Sequence, residues 1–429
     1  MDSYLQNRQR LLTPSRPLPD FEVVGAQGPW LHLADGTRIF DGSSGMLCAN
    51  VGQSSPKVHA RINAQFDRYT FGAAAVVQPR IQVELMDRLC RAVGRPDDFV
   101  ALTTSGTLGV EVAVGLARNI TRVRYGKRCG DILTSDLSYH GMTALPLALA
   151  GSARRPRPED SFGLGPAFPA PYPTAHAHPG RACDASCADE VAKAIDSRGA
   201  GNVAAVLIEP ISGPTGGALV PPDGYLQRVS EICQERDVLV IHDEVMTGMW
   251  RTGTPLASRH WEGCEPDLVV LSKGLGGGYT GVGAVLVSPG IAPWIRHRDA
   301  DPLPVIGTMA THPLMAAACL GVLDELEAMD LPAFAARGQR LGDAMQALNG
   351  VGSVQDVRGR GFLYGVEIAP GRLWPVMEAA QERGVFFYPF TGLGDPPSEG
   401  LIIAPPLTSA DEDIEFLITA LSRAMESAG

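Results

Sequence analysis

The sequence has no apolar run that approaches the length of a membrane span. A helix needs roughly 20 consecutive apolar residues to cross a bilayer, and no stretch of this chain comes near that length. The N-terminus, MDSYLQNRQRLL, also lacks the long apolar segment of a secretory signal. We therefore expect no membrane association and a cytoplasmic location.

Clusters of positive charge are absent as well. Lys and Arg number 36 against 47 Asp and Glu, the net charge is −11, and the basic residues form no long stretch. This distribution argues against a nucleic-acid partner. The 429 residues are 45% hydrophobic and include 49 Gly and 34 Pro. Such a chain can bury a large core, should form more than one domain, and has the composition of a loop-dense α/β protein.

Two polar residues that follow apolar runs carry the main chemical signal. Lys273 ends the run LVVLS and begins the glycine-rich segment KGLGGGY, whereas Asp243 follows the run VLVIH. Both runs indicate buried strands whose carboxyl ends carry polar chemistry. A lysine and an aspartate placed in this way suggest pyridoxal phosphate. The amine would form a Schiff base with the cofactor aldehyde, and the carboxylate would keep the pyridine nitrogen protonated.

Further motifs make the chain similar to the class III (ω-type) aminotransferases, which are fold-type I pyridoxal-phosphate enzymes. Their order and spacing fit that family over nearly the whole chain, which is more specific than any single motif. The motifs are GPWLHLADGTRIFDGSSG (28–45), TSGTLGVEVAVGLAR (104–118), SYHG (138–141), VLIEP (206–210), DEVMTGMWRTG (243–253), LSKGLGGG (271–278), GTMATHP (307–313), VRGRGFLYGVE (357–367) and IIAPPLTSAD (402–411).

The resemblance implies an α/β fold in two parts. A large domain with a mostly parallel sheet of the seven-stranded type would bind the cofactor, and a smaller α/β domain would be built from the N- and C-terminal segments. Alternating strand and helix patterns up to about residue 310 favour the same arrangement. We predict an N-terminal segment at 1–60, the large domain at 61–310 and the small domain at 311–429. The Pro- and Gly-rich stretch 151–180 is predicted to be a long loop near the active-site mouth.

The predicted phosphate site is the segment Ser105, Gly106 and Thr107. It lies between the apolar FVALTT and a helical run, so backbone N–H groups at a helix N-terminus would face an anion there. The resemblance implies that this anion is the cofactor phosphate. The family commonly reads SGSEA or SGTEA, whereas this chain has Leu108 and Gly109 in the last two places. The departure leaves the backbone site intact and alters its surroundings.

The resemblance also assigns the faces of the cofactor ring. Tyr139 matches the residue whose ring stacks on the pyridine, and His140 completes the same motif. Val245 would press on the opposite face, because strand alternation would put it on the same side as Asp243. Glu209 resembles the family's acid near the substrate.

A further residue, Thr308, matches the family threonine that reaches the cofactor phosphate of the neighbouring subunit. The resemblance therefore implies a homodimer with shared active sites. The implied activity is the transfer of an amino group from an amine or amino acid to a ketone, aldehyde or keto acid. Lys273 would carry the proton between the substrate and the cofactor.

Several departures concern the substrate. Many relatives have a mobile Arg shortly before the PPL motif, and FTGLGDPPSEGLIIAPPL has none; Met246 stands where many have Gln. Met46 and Leu47 follow the N-terminal SG where relatives tend to have Trp, and Gln53 replaces a His. We expect an altered pocket, with any substrate carboxylate unrecognised at that point or held by another cation, for which Arg154, Arg155 and Arg157 are candidates.

Two alternatives to transamination stay open on the sequence. The same fold runs racemisation or epimerisation, decarboxylation and carbon–carbon bond formation on amino acids, and the departures at Leu108 and Met246 allow such chemistry. A catalytically silent binding protein is the other alternative. Retention of both Asp243 and Lys273 argues against it.

The eight cysteines are scattered, and we expect reduced thiols. One local cluster, formed by His176, His178, Cys183 and Cys187, has the residue types of a zinc site. The family often carries Cys in the same loop without a metal, so we predict no metal and keep zinc as a minor hypothesis.

Overall fold

The computed structural model describes residues 21–72, 77–126, 130–151, 168–170, 183–199, 201–297, 307–394 and 397–428. Its strands, in chain order, are β1 Val23–Gln27, β2 Trp30–Leu33, β3 Arg38–Asp41, β4 Phe99–Thr103, β5 Asp131–Ser135, β6 Phe168–Ala170, β7 Val203–Ile208, β8 Leu239–Asp243, β9 Leu268–Leu271, β10 Gly283–Val287, β11 Val354–Arg360, β12 Leu363–Ile368, β13 Val385–Phe386, β14 Tyr388–Gly394 and β15 Pro397–Ile403.

The helices connect these strands. Described α-helices span Ser44–Leu47, Pro56–Phe66, Arg80–Ala92, Gly106–Tyr125, Ala144–Leu149, Asp189–Arg198, Tyr225–Glu235, Ala292–Ile295, Pro313–Glu327, Leu331–Gln346, Leu373–Glu382 and Asp411–Ala428, and short 3-10 helices span Ala185–Ala188, Ala257–His260 and Lys273–Leu275. Within the described ranges, no helix is both long and apolar enough to cross a bilayer.

A seven-stranded sheet forms the centre of the molecule, in the order β4-β10-β9-β8-β7-β5-β6. Its strands are parallel except β10, which runs antiparallel to both β4 and β9. Strands β7, β8, β9 and β10 are buried along their whole length. Their near-continuous apolar sequences are typical of strands that are covered on both faces. The carboxyl ends of β8 and β9 are neighbours in this sheet, and they carry Asp243 and Lys273.

The helix Gly106–Tyr125 packs on β7, β9 and β10 through an apolar face. Its N-cap is Ser105, whose side chain accepts a hydrogen bond from the Leu108 N–H, and it ends at Gly126 in the left-handed conformation. A capping serine and a terminal glycine are standard helix boundaries. The cap fixes the N-terminus of this helix at the end of β4, beside the carboxyl ends of β8 and β9.

Two smaller sheets join the ends of the chain. Strands β1, β2 and β3 continue into β13, with β3 parallel to β13, and β11, β12, β15 and β14 form an antiparallel sheet. An N-terminal part that folds onto the C-terminal part is thus observed, in agreement with the α/β fold expected. The boundaries at residues 60 and 310 stay predictions.

One local expectation about the fold needs correction. Strand β6 lies inside the stretch 151–180, where the Pro and Gly content argued against regular structure, and it pairs with β5 at the edge of the sheet. An edge strand tolerates Pro169 because only one side of it must donate hydrogen bonds. The rest of that stretch from 152 to 182, including Arg154, Arg155, Arg157, His176 and His178, lies outside the described residues.

Candidate active site

A cavity of about 150 Å³ opens at the carboxyl ends of β8 and β9. It is lined by most of the residues that the sequence predicted, namely Gly106, Thr107, Tyr139, His140, Glu209, Asp243, Val245 and Lys273. Pro214, Met246, Ser272 and Gly141 complete the described lining. Residues that are far apart in sequence therefore meet at one point, as parallel strands with a common switch point require.

The amine of Lys273 is set in an unusual turn. Lys273 follows β9 after Ser272 and has φ of 38°, in the left-handed region that non-glycine residues seldom occupy. Burial lowers the pKa of the Lys273 amine, while Cys48 and Asp243 oppose that shift. A lysine with a lowered pKa can be a neutral nucleophile or a base near neutral pH.

The carboxylate of Asp243 is held from two sides. His140 Nδ1 lies 2.7 Å from Asp243 Oδ2, and the Val245 N–H donates to Asp243 Oδ1 over 3.0 Å. His140 and Asp243 are both buried. The two contacts fix the orientation of the carboxylate. The sequence analysis placed His140 only within a motif, and its contact with Asp243 was missed because His140 lies in the loop after β5, 103 residues away from the end of β8.

Val245 reaches the cavity for a different reason from the one expected. Strand β8 ends at Asp243, so the alternation of a continuing strand does not apply to Val245. The chain turns instead, and the bond from the Val245 N–H to Asp243 holds that turn. The neighbouring residue Glu244 has a structural role, since its carboxylate accepts hydrogen bonds from the backbone N–H groups of Ala257 and Ser258, each over 2.9 Å.

Glu209, at the end of β7, is a buried acid of the cavity wall. Its Oε2 accepts from the Tyr139 N–H over 3.0 Å, and its Oε1 accepts from the Gly213 N–H over 2.9 Å. Burial raises the pKa of this carboxyl to about 7. Glu209 therefore changes charge near neutral pH.

The N-terminus of the helix Gly106–Tyr125 forms another wall. Leu108 N–H is taken by the Ser105 side chain and Gly109 N–H by the Ser105 carbonyl, so Gly106 and Thr107 precede the helical hydrogen-bond ladder. Both line the cavity. Gly106 is packed too closely for a side chain: a Cβ there would lie 2.8 Å from Val245 Cγ2.

Gly141 shows why the SYHG motif ends in glycine. Its φ is 127°, and a Cβ would lie 2.6 Å from Thr107 Oγ1. The motif thereby brings Tyr139 and His140 against the N-terminus of the helix. Thr308, by contrast, is exposed in a turn and is not among the residues that line this cavity.

The zinc hypothesis has little support in the part that can be described. Cys187 is buried in an apolar cluster with Val191 and Tyr225, and no group of three or more His, Cys, Asp or Glu suited to a metal occurs among the described residues. His176 and His178 fall outside those residues. The absence of a metal stays a prediction.

The donor set of the cavity fits pyridoxal phosphate. Lys273 offers an amine to an aldehyde, Asp243 offers an oriented carboxylate to a pyridine nitrogen, and Gly106 and Thr107 offer a helix N-terminus to a phosphate. Tyr139 and Val245 supply an aromatic and an aliphatic surface to a flat ring. All of these groups border one cavity.

Comparisons with known proteins agree with this chemistry. The family model "Aminotransferase class-III" matches residues 13–425. The chain is 30% identical to the uncharacterized aminotransferase YodT of Bacillus subtilis strain 168, over 98% of this chain and 97% of that protein. It is 29% identical to an omega-aminotransferase of Caulobacter vibrioides, over 94% and 93% of the two chains.

Solved structures give the same result. The crystal structure of a PLP-bound amine transaminase from an uncultivated Pseudomonas species superposes with a TM-score of 0.85 at 26% identity, over 98% of this chain and 99% of that one. The fold-type I assignment is thereby confirmed. The chain belongs to the class III aminotransferases and is a pyridoxal-phosphate-dependent transaminase.

Proposed function

We propose that Lys273 binds the cofactor aldehyde and that Asp243 partners the pyridine nitrogen. The observation that carries this proposal is the single cavity in which both residues meet the helix N-terminus at Gly106 and Thr107. When bound, pyridoxal phosphate supplies an aldehyde for amine exchange and a protonated ring that accepts electrons. Ser105 supports the phosphate site through its cap on the helix.

The amine of Lys273 also moves the proton of the reaction. Once an incoming substrate amine had released it, Lys273 Nζ would take the proton from the substrate carbon as a neutral base and would deliver it, as an acid, to the carbon of the former cofactor aldehyde. Burial, which lowers the pKa of this amine, favours the neutral form that the first step needs.

Asp243 and its partners keep the pyridine nitrogen in its protonated form. A carboxylate that faces a ring nitrogen favours the positive charge there. His140 and the Val245 N–H hold that carboxylate in one orientation through the contacts described above. Tyr139 and Val245, which line the same cavity, would contact the ring and limit its motion.

Family membership supports transamination over racemisation, decarboxylation or carbon–carbon chemistry. The substrates are an amine or amino acid as donor and a ketone, aldehyde or keto acid as acceptor. We favour donors without a carboxylate beside the reacting amine, because the described cavity lining contains Glu209 and no arginine. The omega-aminotransferase and amine transaminase relatives point in the same direction. A cytoplasmic location stays a prediction.

A panel of donors tests this assignment. The cofactor-loaded protein would be mixed with L-alanine, L-glutamate, a diamine or a simple amine, while its visible spectrum is followed. We expect the diamine or the simple amine to convert the cofactor to pyridoxamine phosphate fastest, and an aldehyde or pyruvate to restore it. If L-glutamate or L-alanine reacts fastest, the proposed donor class is wrong. If a donor shifts the cofactor spectrum but no pyridoxamine phosphate forms, the protein binds that amine and the proposed transamination of these donors is wrong.

We also propose a homodimer in which Thr308 contacts the cofactor phosphate of the partner subunit. Two observations support it: Thr308 is exposed, and it is not part of the described lining of its own cavity. Mixed dimers of Lys273→Ala and Thr308→Ala subunits test the sharing. If the site is shared, each mixed dimer has one intact site and activity recovers. If Thr308 serves its own subunit, both sites carry a defect and no recovery is seen.

A further inference from the structure

The turn that carries Lys273 rests on a buried asparagine from the N-terminal segment. Asn50 is 1% exposed. A Cβ on Gly274 would lie 2.2 Å from Asn50 Nδ2, 2.7 Å from Asn50 Cγ and 3.0 Å from Asn50 Oδ1. The amide of Asn50 therefore lies directly against the residue that follows Lys273.

The amide of Asn50 is fixed at both ends. Its Oδ1 accepts from Arg251 Nη2 over 2.7 Å, and its Nδ2 donates to the Met249 carbonyl over 3.0 Å. In addition, the backbone carbonyl of Asn50 accepts from the Leu407 N–H over 2.7 Å. A side chain with both polar atoms bonded inside the protein has little freedom to move.

Arg251, the partner of Asn50, is itself fully buried and immobilised. Its Nη1 donates to the carbonyl oxygens of Phe362, over 3.2 Å, and Pro405, over 2.6 Å. Its Nη2 also donates to Ser44 Oγ over 3.1 Å. Arg251 thus ties the N-terminal segment and the C-terminal part of the chain to the large sheet, and Asn50 is the branch of this network that reaches the Lys273 turn.

The Lys273 turn needs such support. A non-glycine residue in the left-handed region is strained and keeps that conformation only where its surroundings impose it. The turn has local bonds from the Gly276 and Gly277 N–H groups to the Lys273 carbonyl, over 3.0 and 3.1 Å. Asn50 adds a contact from a segment more than 200 residues away in sequence.

We propose that Asn50, held by Arg251, is a positioning residue that sets the direction of the Lys273 amine by holding the turn at Gly274. This proposal deepens the proposed function and rests on the assignment of Lys273 as the cofactor-binding amine. Asn50 acts through the turn, whereas Lys273 itself contacts the reacting atoms. The contact also explains why residue 274 is glycine.

A double-mutant cycle between Asn50→Ala and Gly274→Ala tests the contact. Both single variants displace the turn, so we expect each to lower the single-turnover rate at saturating donor at least tenfold. The apparent donor affinity should change less than threefold. In the Asn50→Ala background the Cβ at residue 274 has room, so Gly274→Ala should lower the single-turnover rate by less than a further threefold. Each variant should also retain less cofactor than the wild type after gel filtration.

Ser44→Ala is the matched control, because it removes another side-chain acceptor of the same Arg251 group without touching Gly274. We expect it to lower the melting temperature while the single-turnover rate stays within twofold of the wild type. A merely structural role of Asn50 would give the same pattern for Asn50→Ala.

Three outcomes overturn the proposal: an Asn50→Ala rate within twofold of the wild type, rate losses that multiply in the double variant, or an equal rate loss in Ser44→Ala. If Asn50→Ala does not fold, Gly274→Ala alone decides, and a normal rate with normal cofactor retention overturns the proposal. Failure of the underlying assignment looks different, since Lys273→Ala would then keep its covalently bound cofactor.

Discussion

The Gly106→Ala substitution tests the proposed phosphate site separately from the stability of the helix that carries it. A Cβ at residue 106 would lie 2.8 and 2.9 Å from the two Cγ atoms of Val245 and 3.1 Å from Ser272 Cβ. Overpacking of this kind costs about 1–3 kcal/mol. Replacing a helical glycine with alanine returns about 0.5–1 kcal/mol. The net cost is therefore between about 0 and about 2.5 kcal/mol, with a midpoint of about 1.25 kcal/mol.

The position of the clash determines whether this free-energy cost affects cofactor binding. Val245, Ser272, Gly106 and Thr107 all line the cavity, so relief of the clash must displace the proposed phosphate site. If the whole net cost falls on binding, the affinity for pyridoxal phosphate drops about 8-fold at the midpoint and about 60-fold at the upper end, since 1.4 kcal/mol corresponds to a factor of ten. A titration of cofactor-free protein, followed by absorbance, measures this change.

Gly109→Ala provides the matched control one turn later. Its Cβ would lie 2.8 Å from Val270 Cγ1, inside the core and away from the cavity lining. It should lower the melting temperature as Gly106→Ala does and leave the cofactor affinity within about twofold. If Gly106→Ala binds the cofactor as tightly as the wild type, or if Gly109→Ala weakens binding equally, the proposed phosphate site is wrong.

Three further variants test individual groups of the cavity. Lys273→Ala should abolish the covalent attachment of the cofactor and the transamination; mass spectrometry after borohydride reduction checks this, and labelling that persists would contradict it. His140→Ala removes the partner 2.7 Å from Asp243; since a hydrogen bond to a charged group contributes about 1.5–3 kcal/mol, we expect kcat/KM to fall about 10- to 100-fold, and an unchanged value would show that His140 is not needed there. Burial raises the pKa of Glu209 to about 7, so the folded protein holds a proton that the unfolded chain releases above the ordinary value of 4.5. The free energy of unfolding should therefore decrease by about 3 kcal/mol as the pH rises from 4.5 through 7. Glu209→Gln should remove that part of the pH dependence in denaturation of the cofactor-free protein, and an identical profile would refute the assignment.

Much of the fold was predictable because its signals are local. The apolar runs before Asp243 and Lys273 are buried strands, and Ser105 begins a helix, as the sequence indicated. Local patterns also misled at two points. Val245 lies beyond the end of its strand, and β6 occurs in a stretch that looked unsuited to regular structure. Pairing with β5 decided the conformation of β6, whereas the local bond from the Val245 N–H to Asp243 holds the turn at Val245.

The partners of the key side chains could not be read from the sequence. His140 meets Asp243 from 103 residues away, and Asn50 meets Arg251 from 201 residues away. No periodicity or local spacing encodes such pairs, because they depend on how loops from distant parts of the chain meet in the folded protein. The contact of Asn50 with Gly274 is of the same kind.

By itself the sequence identified the candidate residues for the chemistry, because an amine, a carboxylate and a capped helix start are properties of short segments. It thereby pointed to the cofactor and the family. Only the tertiary structure decided how these groups are oriented and how their charges respond, since the direction of the Asp243 carboxylate, the conformation of Lys273 and the raised pKa of Glu209 all arise from burial and from contacts between distant segments.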